Sequence, residues 1–174
     1  MIVEYEEKYL ENLRDLLVEL EEYILEIDRD HLDRIHPDYR EKMALYDLDE
    51  LEKNEGKCFL AIDEGKVVGL IMGVLRSYEE QDYLDYTCPK SGIITELIIS
   101  KNSRRKALGK QLMAKMEEYF LQKDCEYVLV DVFAYNNKAI KFYEHGGYHT
   151  RMQTMIKKIV EGEEANEENI DCRR

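Results

Sequence analysis

No apolar run in these 174 residues approaches the roughly 20 needed to span a bilayer, so a membrane-bound role is not expected. The opening stretch, Met1 to Leu10, is acidic and lacks a basic start followed by an apolar run. It does not read as a signal peptide, and a cytoplasmic location is the expectation. Paired cysteines are missing too: Cys58, Cys88, Cys125 and Cys172 lie far apart, with no Cys-x-x-Cys pair and no histidine at zinc-site spacing. No metal is expected. Positive charge is scarce, with 25 Lys and Arg against 38 Asp and Glu and a net charge of −13. That balance argues against general affinity for nucleic acid or an anionic membrane. The phosphate loop Gly-x-x-x-x-Gly-Lys-Ser/Thr is also absent.

What is present suits a soluble globular protein with a charged skin: 44% hydrophobic and 36% charged residues in the length of one domain. Ile2 to Tyr5 reads as a short strand. Leu10, Leu13, Leu17, Leu20, Ile24 and Ile27 then recur at alternating three and four, one stripe of a long amphipathic helix. A charged connector, Asp28 to Asp38, leads to a helix opened by Pro37 and running to about Leu51. Lys57 to Asp63 and Val67 to Leu75 form a hairpin signal around Asp63-Glu64-Gly65-Lys66. An acidic, tyrosine-rich loop, Tyr78 to Ser91, precedes a strand at Gly92 to Ser100, a basic turn at Lys101 to Lys106, and a helix from Ala107 to about Gln122. A strand at Tyr127 to Phe133, a helix at Asn136 to Glu144 stopped by Gly146-Gly147, and one or two strands within Tyr148 to Val160 complete the domain. The final residues, Glu161 to Arg174, carry six acids and two arginines without apolar periodicity and read as a solvated tail.

The strand–helix–strand centre has a crossover long enough to make its strands parallel. Both strands are nearly continuous in apolar character (Ile93, Ile94, Leu97, Ile98, Ile99; Val128, Leu129, Val130, Val132), so both sheet faces should be covered. One α/β domain over residues 1–160 is the expected organisation.

The turn Ser103-Arg104-Arg105-Lys106-Ala107-Leu108-Gly109-Lys110 leaves a buried strand and enters an amphipathic helix (Leu108, Leu112, Met116, Phe120). A helix N-terminus offers unpaired N–H groups and about half a positive charge, which attracts phosphate. Three cations stand just upstream, and the small residues at 107 and 109 let a bulky anion approach the backbone. A solvated basic turn is the plain alternative. Arg104-x-x-Ala107-Leu108-Gly109 resembles the Arg/Gln-x-x-Gly-x-Gly/Ala signature of the GNAT N-acetyltransferase superfamily, with Ala107 standing at the first glycine position. A second segment, Asn136-x-x-Ala139-x-x-Phe142-Tyr143-Glu144-x-Gly146-Gly147-Tyr148, resembles that family's closing helix. Alanine tolerates helical dihedrals but not positive φ, so the loop should work unless that peptide needs a left-handed turn.

The resemblance implies a mixed, mostly antiparallel central sheet with one parallel strand pair and helices on both faces. It also implies acetyl-coenzyme A as co-substrate and transfer of its acetyl group to an amine by direct attack within a ternary complex. Arg104, Arg105, Lys106, Ala107, Leu108, Gly109 and Lys110 would cradle the pyrophosphate. Backbone groups of Leu97, Ile98 and Ile99 would pair with the pantetheine arm and meet the thioester carbonyl, and Asn136, Ala139 and Tyr143 would flank that arm. The residues also have plain readings: Asn136 as a helix N-cap, Ala139 as a small packed residue, Phe142 as core.

The chemistry sets three tasks. An alkylamine of pKa about 10.4 is neutral roughly once in 2,500 at pH 7, a handicap of about 4.6 kcal/mol. Glu96 is the candidate base, because it has the strand parity of Ile94 and Ile98 and a carboxylate on a covered face should have a raised pKa. A structural glutamate paired with an arginine or a helix end is the alternative. The oxyanion needs a backbone N–H freed from the ladder, for which a bulge near Leu97 to Ile99 would serve. Tyr143 is the candidate acid for the leaving thiolate, by resemblance. The acceptor should meet the connector acids Asp28, Asp30, Asp33 and Asp38 and the loop acids Glu79, Glu80, Asp82 and Asp85, which favours a cationic small molecule or peptide amine. Tyr78, Tyr83 and Tyr86 could line its pocket or cover the core. An acyl-CoA sensor without turnover and a partner-binding module stay open, and the resemblance allows a homodimer.

Overall fold

The computed structural model describes residues 1–104 and 107–159. Arg105, Lys106 and the expected acidic tail at 161–174 lie outside the described residues. Five strands, β1 (Ile2–Glu4), β2 (Lys57–Asp63), β3 (Lys66–Leu75), β4 (Ser91–Ile99) and β5 (Tyr127–Val130), form one sheet in the order β1-β2-β3-β4-β5. All neighbours are antiparallel except β4 and β5. Among the described residues the α-helices are α1 (Leu10–Ile27), α2 (Tyr39–Lys53), α3 (Leu108–Gln122) and α4 (Asn137–His145). The single α/β domain with a parallel closing pair therefore stands as expected. No helix among the described residues is long and apolar enough to cross a membrane.

The apolar stripes decide the layering. Leu13 and Leu17 of α1 and Ala44 and Leu51 of α2 pack with Leu60, Leu70, Met72 and Ile98 on one sheet face. Leu112, Met116 and Phe120 of α3 pack with Phe59, Ile71 and Ile94 on the other. Each such buried aliphatic or aromatic side chain contributes about 1.5–3 kcal/mol of transfer free energy. The second face is packed close enough to demand glycine: a Cβ at Gly92 would lie 2.5 Å from the Phe120 ring.

Two expectations change. The fifth strand ends at Val130 instead of Phe133. Residues 149–159 form no strand, helix or turn. The apolar spacing there has no described neighbour to pair with, and β propensity needs cross-strand partners to be realised.

Candidate active site

The site begins with a break in register. β3 and β4 pair as Met72↔Glu96 and then Gly73↔Ile94, so Thr95 is an extra residue in β4. This bulge turns the alternation over. Ile94 packs on the α3 face while Ile98 packs under α1 and α2. Glu96 shares the face of Ile98 but not of Ile94, which corrects the simple parity reading. Pairing with β5 also stops at Ile94↔Val130, although β4 continues to Ile99. Among the described residues, Leu97, Ile98 and Ile99 therefore have a strand partner on the β3 side alone, beyond the point where β4 and β5 part.

The two motif segments meet where α3 and α4 pack, with the Phe142 ring against Gly109. α3 starts at Ala107, whose φ of 57° and ψ of 13° place it in the left-handed region. The first glycine position of the motif does need the conformation that glycine adopts freely, and an alanine holds it at a cost of about 1–2 kcal/mol. Gly109 follows in the first turn of α3; a Cβ there would lie 3.4 Å from the Phe142 ring, ordinary contact. The chain's own packing would accept alanine, and glycine in a helix costs about 1 kcal/mol. Leu108 is buried and Lys110 is exposed. Arg104 folds back to donate from Nε to the Ile99 carbonyl (3.1 Å). Its guanidinium lies 5.5 Å from the centre of the Tyr23 ring.

Asn136 is the N-cap of α4, as expected: Oδ1 accepts from the Ala139 N–H at 3.1 Å. The same oxygen accepts from the Tyr23 hydroxyl at 3.1 Å. Tyr23 on α1 thus touches Arg104 from the first motif and Asn136 from the second, and Arg29 stacks 4.4 Å from the Tyr135 ring beside it. Sequence reasoning passed over Tyr23, because nothing in a helix stripe says that its hydroxyl will meet a residue 113 positions away. Tyr143 lies half-buried on α4 between Phe142 and Tyr148. It faces a hollow of about 190 Å³ between α3 and α4, lined also by Lys110, Met113, Glu117 and Tyr148. Burial first, and then the Glu96 carboxylate, push the Tyr143 phenol up to about 12.

Glu96 sits among acids. Burial, then Asp47 and then Glu21, push its carboxyl up to about 8. Asp47 on α2 is pushed to about 6 by burial, and its Oδ2 is a buried atom with no hydrogen-bond partner. Glu21 on α1 is raised by burial and accepts from the Tyr39 hydroxyl at 3.3 Å. No cation among the described residues contributes to any of these three shifts. The expected pairing of Glu96 with an arginine or helix end is not found among the described residues.

Four of the eight connector and loop acids, Asp28, Asp38, Glu79 and Asp82, have other work. Asp28 is buried and accepts from the backbone N–H groups of Asp33, Asp30 and Leu32, which hold it below the usual carboxylate range. Asp38 pairs with Lys42 at 2.6 Å. Glu79 and Asp82 cap one another's backbone in a short 3-10 turn. Tyr78 and Tyr86 stack at 5.9 Å in that loop, with Arg76 against both rings. Glu21 and Asp47 were legible: Glu21 lies four residues after Leu17, and Asp47 lies three after Ala44 and four before Leu51, so both stand on buried helix faces.

This arrangement, a β4 that parts from β5 beside a helix N-terminus and a capped closing helix, matches the sequence profile of the Acetyltransferase (GNAT) family over residues 17–148. The chain belongs to the GNAT acetyltransferase family. Among curated proteins it is 25% identical over 108 residues to N-alpha-acetyltransferase 30 of Dictyostelium discoideum, covering 62% of this chain and 54% of that one. The chain thus spans about half the length of that relative. Solved GNAT folds overlay closely. A mutant of the BH1408 protein from Bacillus halodurans superposes with a TM-score of 0.77 at 16% identity, over 92% of this chain and 99% of that one. An aminoglycoside N-acetyltransferase in complex with coenzyme A superposes with a TM-score of 0.66 at 15% identity, over 91% and 98%. At such identities these two likenesses speak to the fold.

Proposed function

We propose that this GNAT chain uses acetyl-coenzyme A to acetylate a primary amine by direct attack, and that the acceptor is cationic. The observation that carries the reading is Glu96. It stands at the bulge in β4, in a group of three carboxyls with no cation among the described residues to balance them. Burying like charges costs free energy unless an opposite charge arrives, and an ammonium acceptor brings one. With a pKa near 8, Glu96 is well matched to take a proton from a bound ammonium at neutral pH. Asp47 and Glu21 would hold further positive charge on the acceptor.

The residues where β4 and β5 part suit the cofactor. The left-handed Ala107 and the α3 N-terminus would form an anion cradle, with Arg104 beside it. Leu97, Ile98 and Ile99, which pair with β3 and have no partner on the β5 side among the described residues, would face the pantetheine arm, and Leu108, Lys110, Asn136 and Ala139 would frame the remainder. Arg105 and Lys106 keep their place in the proposal from the sequence. Tyr143 is the proposed acid. At a pKa near 12 it lies about 5 kcal/mol above an ordinary thiol of pKa 8.5. Part of that gap comes from the Glu96 charge. When Glu96 takes the acceptor's proton its charge disappears, and Tyr143 becomes a stronger acid as the thiolate forms.

The test is thermal unfolding with and without saturating acetyl-coenzyme A, followed by turnover on mono- and polyamines. A ligand at 100 times its dissociation constant adds about 2.7 kcal/mol, roughly 5–11 °C for a domain this size. A shift without turnover on any amine would leave a binding protein. No shift at millimolar ligand would end the proposal.

A further inference from the structure

The last turns of α1 meet both stretches of chain on which the proposed cofactor site depends. Glu19 and Tyr23 are four residues apart in the helix, so their side chains stand one above the other on one face. The Glu19 carboxylate accepts from the Lys101 backbone N–H at 2.7 Å, at the start of the turn that leads out of β4. Further along that turn, the Arg104 guanidinium lies 5.5 Å from the centre of the Tyr23 ring. The Tyr23 hydroxyl donates to Asn136 Oδ1 at 3.1 Å, and the same oxygen caps α4. Just beyond the helix, Arg29 stacks on Tyr135, the residue before that cap. Asp28 fixes the chain there by gathering the N–H groups of Asp30, Leu32 and Asp33.

Packing alone would ask less of this side chain. Tyr23 is half-buried beside the apolar stripe, next to its member Ile24, and it spends both its ring face and its hydroxyl on polar groups from other elements. On the Arg104 side, Nε is held by the Ile99 carbonyl and the guanidinium rests by the ring. Among the described residues no acid pairs with that guanidinium, so its charge is open to an anion. Holding a long side chain in place before the anion arrives removes part of the ordering cost of binding. On the Asn136 side, two donors fill the capacity of Oδ1 and fix the start of α4. Tyr143 follows seven residues after Asn136, about two turns along the same face of the helix.

We propose that Tyr23 is a positioning residue for the acetyl transfer: its ring sets the Arg104 guanidinium for the phosphates of coenzyme A, and its hydroxyl sets α4 and with it Tyr143. The inference rests on the cofactor reading above and adds to it a residue of α1 that lies outside both motif segments. Removing the ring and removing the hydroxyl then have different consequences. The first weakens cofactor binding; the second slows the chemical step.

The test compares Tyr23→Phe, Tyr23→Leu and Arg104→Met, with coenzyme A affinity by calorimetry and kcat on an amine that the wild type acetylates. Melting temperatures check that each variant folds. Tyr23→Phe keeps the ring, so its affinity should stay within about 1.5-fold of wild type while kcat falls by about 2–10-fold, the scale of one hydrogen bond. Tyr23→Leu should lose as much in kcat and also bind coenzyme A about 2–5-fold more weakly, the scale of an exposed contact between a cation and a ring. In the Arg104→Met background the change to leucine should weaken binding no further, because its effect on affinity passes through the guanidinium. Additive losses of affinity in the double variant, or a phenylalanine variant with wild-type kcat, would show that Tyr23 only packs and would overturn the proposal. Should the leucine variant fail to fold, the kcat-against-affinity split in Tyr23→Phe decides alone. Should the wild type bind coenzyme A but acetylate no amine, the affinity cycle decides. A wild type that binds no coenzyme A would end the cofactor reading and this inference with it, whereas one that binds and turns over without the split removes this inference alone.

Discussion

Replacing Glu96 by glutamine separates the proposed base from a structural acid, because the two roles predict opposite consequences for stability and activity. The carboxyl is raised from 4.5 to about 8 in the folded protein. For an acid with a raised folded pKa, the native state holds the proton more tightly. The stability this contributes is complete below pH 4.5 and is lost as pH rises through 8. At 1.36 kcal/mol per unit the full loss is about 5 kcal/mol above pH 8, and about 3 kcal/mol has gone by pH 7. Solvent reaches the half-buried carboxylate and Asp47 shares the titration, so roughly half of that is the working figure. Glutamine keeps the shape and loses the charge. Glu96→Gln should match wild type at pH 5 and exceed it by about 2 kcal/mol at pH 8, or roughly 4–8 °C in melting temperature. Urea unfolding at pH 5, 6, 7 and 8 measures this directly. In the same preparations kcat/KM for amine acetylation should fall by about 10²–10⁴, as expected for a lost general base, and the wild-type profile should rise towards pH 8. A variant that is more stable and less active fits the proposal. Parallel stability curves, or a variant less stable at pH 8, would show that Glu96 is compensated in the fold and would refute the reasoning.

Tyr143→Phe should lower kcat by about 10²–10⁴ while leaving acetyl-coenzyme A affinity within a few-fold, read by turnover and calorimetry; equal loss of both would remove the acid assignment. Ala107→Gly exchanges about 1–2 kcal/mol of left-handed strain for glycine's chain entropy of about 1 kcal/mol. Its urea midpoint should therefore equal or exceed that of wild type, and a drop of 1 kcal/mol or more would contradict the dihedral at that residue. Gly92→Ala would drive a methyl into the Phe120 ring and should cost about 1–3 kcal/mol. Adding Phe120→Leu should recover part of the loss, so an unchanged melting temperature in the single variant would contradict the packing.

The sequence by itself determined the element order from β1 to α4. Helix α1 follows from the stripe of Leu10, Leu13, Leu17, Leu20, Ile24 and Ile27, and α3 from Leu108, Leu112, Met116 and Phe120, because burial acts on periodicity and periodicity is local. The Asn136 cap was legible for the same reason: its partner, the Ala139 N–H, is three residues away. The motif segments around Arg104 to Lys110 and Asn136 to Tyr148 could be picked out because each lies in one stretch of chain.

Only the tertiary structure decided what depends on distant residues. The bulge at Thr95 exists in the register between β3 and β4, and it alone decides which face Glu96 occupies. The left-handed dihedral at Ala107 belongs to the way the chain enters α3, not to alanine's own preference. Glu21 and Asp47 gained significance through their electrostatic contact with Glu96 from two other elements. Tyr23 joined both motifs through contacts that no spacing encodes. The apolar spacing of 152–159 promised a strand, yet a strand requires an edge as well as a pattern, and among the described residues the segment meets none.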